Sequence, residues 1–98
     1  MKIVINERYG GFSLSGEGLK RYYKLKGIPL PDYGSGREIK RTNPDLIQVV
    51  EELGEGANGA FAGLVVRDIP AGAQYRIAEY DGYETLELRD EIDWDIAT

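Results

Sequence analysis

The chain contains neither histidine nor cysteine. That removes the usual nucleophiles, the thiolate and imidazole zinc ligands and the proton shuttles of neutral pH. Arginine, lysine, carboxylates and tyrosine are left to do any chemistry. The densest grouping of them is Arg8-Tyr9-Gly10-Gly11-Phe12. Two consecutive glycines let the backbone take positive φ, and the N–H groups of such a turn, beside a helix N-terminus, favour an anion. Arg8 precedes the turn, and Tyr9 and Phe12 flank it. Lys20, Arg21 and Lys24 follow, with Lys20 and Lys24 at i, i+4 on one helix face. Arg41, with Arg37 and Lys40, is placed to join from the loop before a second helix. Cations with exposed aromatics suit phosphates and stacked bases. The candidate ligand-binding set is therefore Arg8, Tyr9, Gly10, Gly11, Lys20, Arg21, Lys24 and Arg41. The spacing Gly10-Gly11…Gly16-x-Gly18 matches neither a Walker motif nor a dinucleotide fingerprint. A plainer reading competes with this one: a simple turn, Tyr9 and Phe12 as core caps, and the lysines as a solvated face.

A second grouping is acidic: Asp90, Glu91, Asp93 and Asp95 around Trp94. The calcium-loop pattern is absent, so no metal is expected there. The strip suits either a solubilising tail or a partner-binding surface, with Trp94 as anchor, that docks on a basic, nucleic-acid-binding face of another protein. No two carboxylates stand at a spacing diagnostic of catalysis, so a non-enzymatic protein without a cofactor is expected.

The elements that must position these residues are legible. Lys2–Asn6, with Ile3, Val4 and Ile5, is predicted as a short central strand. Ser13 or Ser15 caps a helix whose Leu19, Tyr22 and Tyr23 fall at i, i+3, i+4, ended by Gly27. Residues 28–38 are punctuated by Pro and Gly and read as a loop, with a short strand expected around Ile39. Asn43 caps a second helix with Pro44 at its first position and Asp45 near the positive end of the dipole. Leu46, Ile47, Val49, Val50 and Leu53 give it a broad apolar stripe, and Gly54 ends it, with a further turn through Ala57 as an option.

Residues Ala60 to Ile69 are predicted as a strand stopped by Pro70. Asp81-Gly82 is the favoured pair for a two-residue hairpin turn. Counting outward pairs Tyr80 with Tyr83, Ile77 with Leu86 and Tyr75 with Leu88. The other face pairs Arg76 with Glu87 and Ala78 with Thr85, and Glu79 opposite Glu84 is the one mismatch. The alternating tail from Asp90 to Thr98 reads as an edge strand or a segment for a second subunit. The expected architecture is a single α+β domain over residues 1–98: an antiparallel sheet of about 4–5 strands with two helices packed on one face.

Ninety-eight residues with 42% apolar and 30% charged side chains suit one modest core. The net charge of −5 is uneven: residues 1–42 balance at +5 and residues 43–98 at −10. No signal-peptide core or membrane-length apolar run is present, and a cytoplasmic protein is expected.

Two separated stretches also carry a resemblance. Lys2-Ile-Val-Ile-Asn…Tyr9-Gly-Gly-Phe-x-Leu-Ser15, and Pro44-Asp-Leu…Val50-Glu-Glu-Leu-Gly…Ala57-Asn-Gly…Ile77-Ala-Glu-Tyr-Asp-Gly82, resemble a widespread family of small phage- and prophage-encoded proteins. The region between the motifs is shorter here, and the tail after Tyr83 is acidic rather than basic and Trp-ending. The resemblance implies a phage accessory protein, with counter-defence as a natural occupation in the host cytoplasm, and implies no particular activity. The expected partners are a small anionic ligand such as a nucleotide signal or, alternatively, a basic host protein that it inhibits. A homo-oligomer is expected, with no membrane association and no direct nucleic-acid binding. A purely structural role in assembly, through the apolar residues of the tail, is a third option.

Overall fold

The computed structural model describes residues 1–31 and 36–88. In chain order the elements are β1 (Lys2–Asn6), α1 (Gly16–Lys26), α2 (Pro44–Leu53), a short 3-10 helix (Gly54–Ala57), β2 (Leu64–Asp68), β3 (Tyr75–Tyr80) and β4 (Tyr83–Leu88). The chain is α+β, as expected. The single sheet of 4–5 strands is not what these strands form: β1 pairs antiparallel with β2, and β3 with β4, as two separate sheets.

The reason lies in the two faces of β1. In the β1–β2 register Val4 lies opposite Val66 and Ile5 opposite Val65. Side chains alternate across a strand, so Val4, Leu64 and Val66 face one way and Ile3, Ile5 and Val65 the other. The first set joins Phe12, Leu14, Tyr22, Leu46, Val49 and Val50 in a core under the two helices. The second joins Ile69, Tyr75, Ile77, Leu86 and Leu88. With both faces apolar, β1–β2 is covered by α1 and α2 on one side and by the β3–β4 hairpin, packed face to face, on the other. Helices, sheet and hairpin stack as three layers. Extending the sheet edge to edge would leave Ile3 and Ile5 against water.

Local sequence accounts for the ends. Ser15 accepts from the Gly18 N–H and caps α1, and Gly27 closes it in the left-handed conformation at φ 74°. Asn43 accepts from the Asp45 and Leu46 N–H groups ahead of Pro44. The optional turn through Ala57 is present as the 3-10 helix. The β3–β4 register runs from Tyr75–Leu88 to Tyr80–Tyr83, with Arg76 opposite Glu87, as counted from the Asp-Gly turn.

Two boundaries differ from expectation. Ile39 is in no strand; residues Gly36–Ile39 form a turn closed by the Ile39 N–H on the Gly36 carbonyl, and the Val4 N–H instead reaches the Arg41 carbonyl at 2.9 Å. Residues 60–63 are not strand, because the Ala62 N–H turns back to Gly59 and the Asn58 side chain takes the Leu64 N–H. Among the described residues no helix is long and apolar enough to cross a membrane.

Candidate functional site

Strand β1 ends in Asn6, a polar residue with no exposed surface. Its side-chain amide is fully engaged. Oδ1 accepts from the Gly63 N–H at 2.8 Å, and Nδ2 donates to the Arg8 carbonyl at 2.8 Å and the Gly82 carbonyl at 2.7 Å. One side chain thus ties the Gly-Gly loop, the start of β2 and the tip of the hairpin together.

The hairpin tip completes the contact. Asp81 and Gly82 both have positive φ, 50° and 89°, the geometry of a tight mirror-image turn. This turn lies directly against the Gly10-Gly11 backbone. A methyl group on Gly82 would fall 2.2 Å from the Gly11 nitrogen, and the Gly10 N–H donates to the Asp81 carbonyl at 3.2 Å. Gly10 and Gly11 hold φ of 115° and 96°, and the Phe61 Cβ lies 2.6 Å from where a Gly10 side chain would begin. The glycines permit close approach of three chain segments. The Gly10 N–H is already used.

Beside this junction a buried charge pair is built. Glu84, 7% exposed, accepts the Asn6 N–H on Oε1 at 2.8 Å and the Arg41 guanidinium on Oε2 at 3.0 Å. Arg41 also donates to the carbonyls of Arg37 and Ile39 at 3.1 and 3.0 Å. Its guanidinium carbon stacks 3.6 Å from the centre of the Phe12 ring, and its Nε–H is buried without an acceptor among the described residues. The mismatched Glu79–Glu84 pair is resolved in this way. Glu84 turns inward to Arg41, and Glu79 caps the Gly82 N–H.

Between the Gly-Gly loop, the hairpin tip and the segment around Arg37 opens a cleft of about 490 Å³. It is lined by Gly10, Gly11 and Phe12 of the loop, by Glu79, Asp81, Gly82 and Glu84 of the hairpin, and by Arg37 and Arg41. The Arg37 guanidinium lies 3.0 Å from the position a Gly11 side chain would start from. Among the described residues no cluster of His, Cys, Asp or Glu is arranged to hold a metal ion.

Of the candidate residues, Gly10, Gly11 and Arg41 converge on this cleft, and Arg8, Tyr9, Lys20, Arg21 and Lys24 are not among its lining residues. Arg8 and Tyr9 are exposed beside the junction, with the Tyr9 ring 5.3 Å from that of Tyr83. Lys20 and Lys24 are exposed on α1. Arg21 pairs with Glu52 of α2 at 3.0 Å, and that pairing, with a bond from Gln48, holds the Glu52 carboxyl below its usual range. Lys26 lies over the Tyr22 ring, and hydrogen bonding with the Tyr22 side chain raises its pKa.

Nor does the Gly-Gly turn adjoin the α1 N-terminus. Phe12–Leu14 intervene, and that terminus meets the short helix, where the Ser15 N–H donates to the Ala57 carbonyl and its hydroxyl to the Gly56 carbonyl. Asp90, Glu91, Asp93, Trp94 and Asp95 lie outside the described residues. Sequence reasoning missed Glu79, Asp81 and Glu84 as cleft residues. The one available signal was the like-charge Glu79–Glu84 pairing in an otherwise complementary hairpin.

The chain matches no protein-family model, no curated protein and no solved structure.

Proposed function

We propose that the protein is a non-enzymatic binding module that sequesters a small anionic ligand in the Gly10–Arg37–Asp81 cleft, a nucleotide being the class that suits it. The observation that carries the reading is the presence of both guanidinium and carboxylate groups in the lining of that cleft. Arg37 and Arg41 both bring guanidinium groups to the lining of the cleft, and Arg41 is paired there with Glu84. Glu79 and Asp81 add carboxylates to the same lining, and that of Glu79 also accepts the Gly82 N–H. Guanidinium groups bind phosphate oxygens, and carboxylates accept hydrogen bonds from ribose hydroxyls. A plain inorganic anion meets only half of that arrangement and is repelled by the other half. A nucleoside phosphate meets both. The resemblance to phage-encoded small proteins adds a context, removal of a nucleotide signal used against the phage.

A thermal-shift panel at low ionic strength tests the reading, with cyclic di- and trinucleotides, ADP-ribose derivatives, mononucleotides and inorganic phosphate. A ligand at 100 times its Kd adds about 2.7 kcal/mol, which in a domain of this size raises Tm by roughly 10–20 °C. The expected result is a shift for one nucleotide class, little for phosphate, and loss of the shift in Arg37→Ala. A panel without any shift overturns the reading.

A further inference from the structure

Strand β4 has one bare edge. The two-residue turn at Asp81-Gly82 makes Tyr80 and Tyr83 a hydrogen-bonded pair. Alternation along the ladder then gives the backbone groups of Tyr83, Thr85 and Glu87 to β3 and turns those of Glu84, Leu86 and Leu88 outward. None of the outward N–H and C=O groups has a hydrogen-bond partner among the described residues. Beside them runs a groove of about 440 Å³, lined by Tyr83 and Thr85 from one face of β4, by Leu86 and Leu88 from the other, and by Ile5 of β1. Lining from both faces of one strand places the groove along its edge. Its floor is the cluster of Ile3, Ile5, Val65, Leu86 and Leu88, in which Val65 and Leu86 are only half-buried. A two-stranded hairpin is marginal where a third strand makes it stable, and an open edge is a template for one.

The charges that line the groove are matched already. Arg67 is bonded to Glu7 at 2.6 Å and Glu84 to Arg41 at 3.0 Å. Asp68 belongs to the other face of β2, across from Lys2. The groove therefore suits a strand with one apolar face, and the chain carries such a segment directly after Leu88: Arg89-Asp-Glu-Ile92-Asp-Trp94-Asp-Ile96. Ile92, Trp94 and Ile96 recur with the period of a half-buried strand. A three-residue loop over Arg89–Glu91, a common hairpin connection, returns the chain along the bare edge with Ile92 opposite Leu88, Trp94 opposite Leu86 and Ile96 opposite Glu84. These are the outward-bonding positions of β4, and they put all three apolar side chains toward the groove. Asp93 and Asp95 fall on the solvent side beside Glu87 and Thr85, where Glu87 is already paired with Arg76. A one-residue slip would bury the acids instead. The loop lacks the glycine that such turns favour, so the strand is held by its side chains more than by its turn. The short tether gives the segment an effective concentration on the order of millimolar, which any second copy or foreign strand has to exceed.

We propose that the segment from Ile92 to Ile96 docks on the bare edge of β4 as the third strand of the hairpin sheet, with Trp94 against Leu86 in the groove. Docked in this way, Trp94 closes the chain's own second core and is removed as an anchor for another protein.

Trp94 is the only tryptophan in the chain, so its fluorescence reads the docking directly. In the full folded chain the expected result is blue-shifted emission and acrylamide quenching several-fold below that of the urea-unfolded chain, unchanged from low micromolar to near-millimolar protein. Ile92→Pro removes an N–H that the docked strand gives to β4, and should return quenching to the unfolded value. It should also speed amide exchange at Leu86 and Leu88 more than at Thr85 and Glu87, with the circular dichroism of the helices kept. Asp93→Pro removes an N–H that points to solvent, the place an edge strand tolerates proline, and should leave Trp94 protected. A Trp94 as quenchable in the folded chain as in the unfolded one overturns the proposal. So does protection that grows with protein concentration, which would make a second copy the occupant, and so do two proline variants with equal effect or none. None of these readouts uses a nucleotide, so they stand or fall apart from the ligand cleft.

Discussion

Replacing Glu84 by Gln tests the buried pair that shapes the cleft. The substitution keeps an oxygen for the Asn6 N–H but removes the charge opposite Arg41 and offers that guanidinium an N–H group instead of an acceptor. The two side chains are 13% and 10% exposed, so water replaces little of what is lost. Breaking a buried pair by removing one partner costs about 3–5 kcal/mol. Arg41 keeps its bonds to the Arg37 and Ile39 carbonyls and its stack on Phe12, which places the loss near the lower bound, about 3 kcal/mol. In a domain of this size that lowers Tm by roughly 12–24 °C.

The control is the same substitution on the same strand. Glu87 pairs with Arg76, whose side chain is 71% exposed, and Glu87→Gln should cost less than about 1 kcal/mol. Urea denaturation of both variants gives the comparison. Arg41→Met added to Glu84→Gln removes both charges yet keeps the Asn6 acceptor, and should recover a large part of the loss. Equal stability of Glu84→Gln and Glu87→Gln would refute the reasoning, since burial would then not be what distinguishes the pairs.

Three further outcomes are expected. Asn6→Leu strands the Gly63 N–H and the Arg8 and Gly82 carbonyls, and should cost at least about 2–3 kcal/mol by chemical denaturation; amide exchange near Gly63 and Gly82 should speed up with it. Gly82→Ala should destabilise several times more than Gly27→Ala in the same melt. Both have positive φ, which costs roughly 1–2 kcal/mol with a Cβ, but Gly27 has open space beside it whereas Gly82 abuts Gly11. The lowered Glu52 pKa gives a pH signature. A depressed carboxylate contributes stability above its unfolded value near 4.5 and loses it as pH falls through the lower folded value. The Tm difference between the protein and Glu52→Gln should therefore be full above that pH and vanish toward stronger acid.

What was legible in the sequence follows the range of the interactions. The β3–β4 register needed only a two-residue turn and alternation on either side of it, so every pair could be counted outward from Asp81-Gly82. Asn43-Pro44 and the spacing from Leu46 to Leu53 placed α2 for the same reason. The burial of β1 on both faces was readable in Ile3-Val4-Ile5, three consecutive apolar residues that need cover on each side, but the strand expected to be central has only β2 as a strand neighbour. The cover itself was not readable, because whether the hairpin joins β1 by its edge or its face depends on packing between segments some eighty residues apart.

The site followed the same division. Gly10-Gly11 was read as an anion-binding turn beside a helix N-terminus; in the fold those glycines admit Gly82 and Phe61, and that N-terminus meets the Ala57 and Gly56 carbonyls. Glu84 looked like a solvated mismatch because its partner Arg41 stands 43 positions away. Lys20, Arg21 and Lys24 share a helix with no claim on the cleft, and Arg21 is spoken for by Glu52.

The central claim is that the cleft between the Gly-Gly loop and the hairpin tip takes a nucleotide. Chemical-shift mapping of the isotope-labelled chain, titrated with the nucleotide that gives the largest thermal shift, tests it most directly. The account predicts perturbations confined to the amides of Gly10, Gly11 and Gly82 and to the side chain of Arg37, with Lys20 and Lys24 unmoved. Perturbations centred on the α1 lysines, or none anywhere, would contradict it.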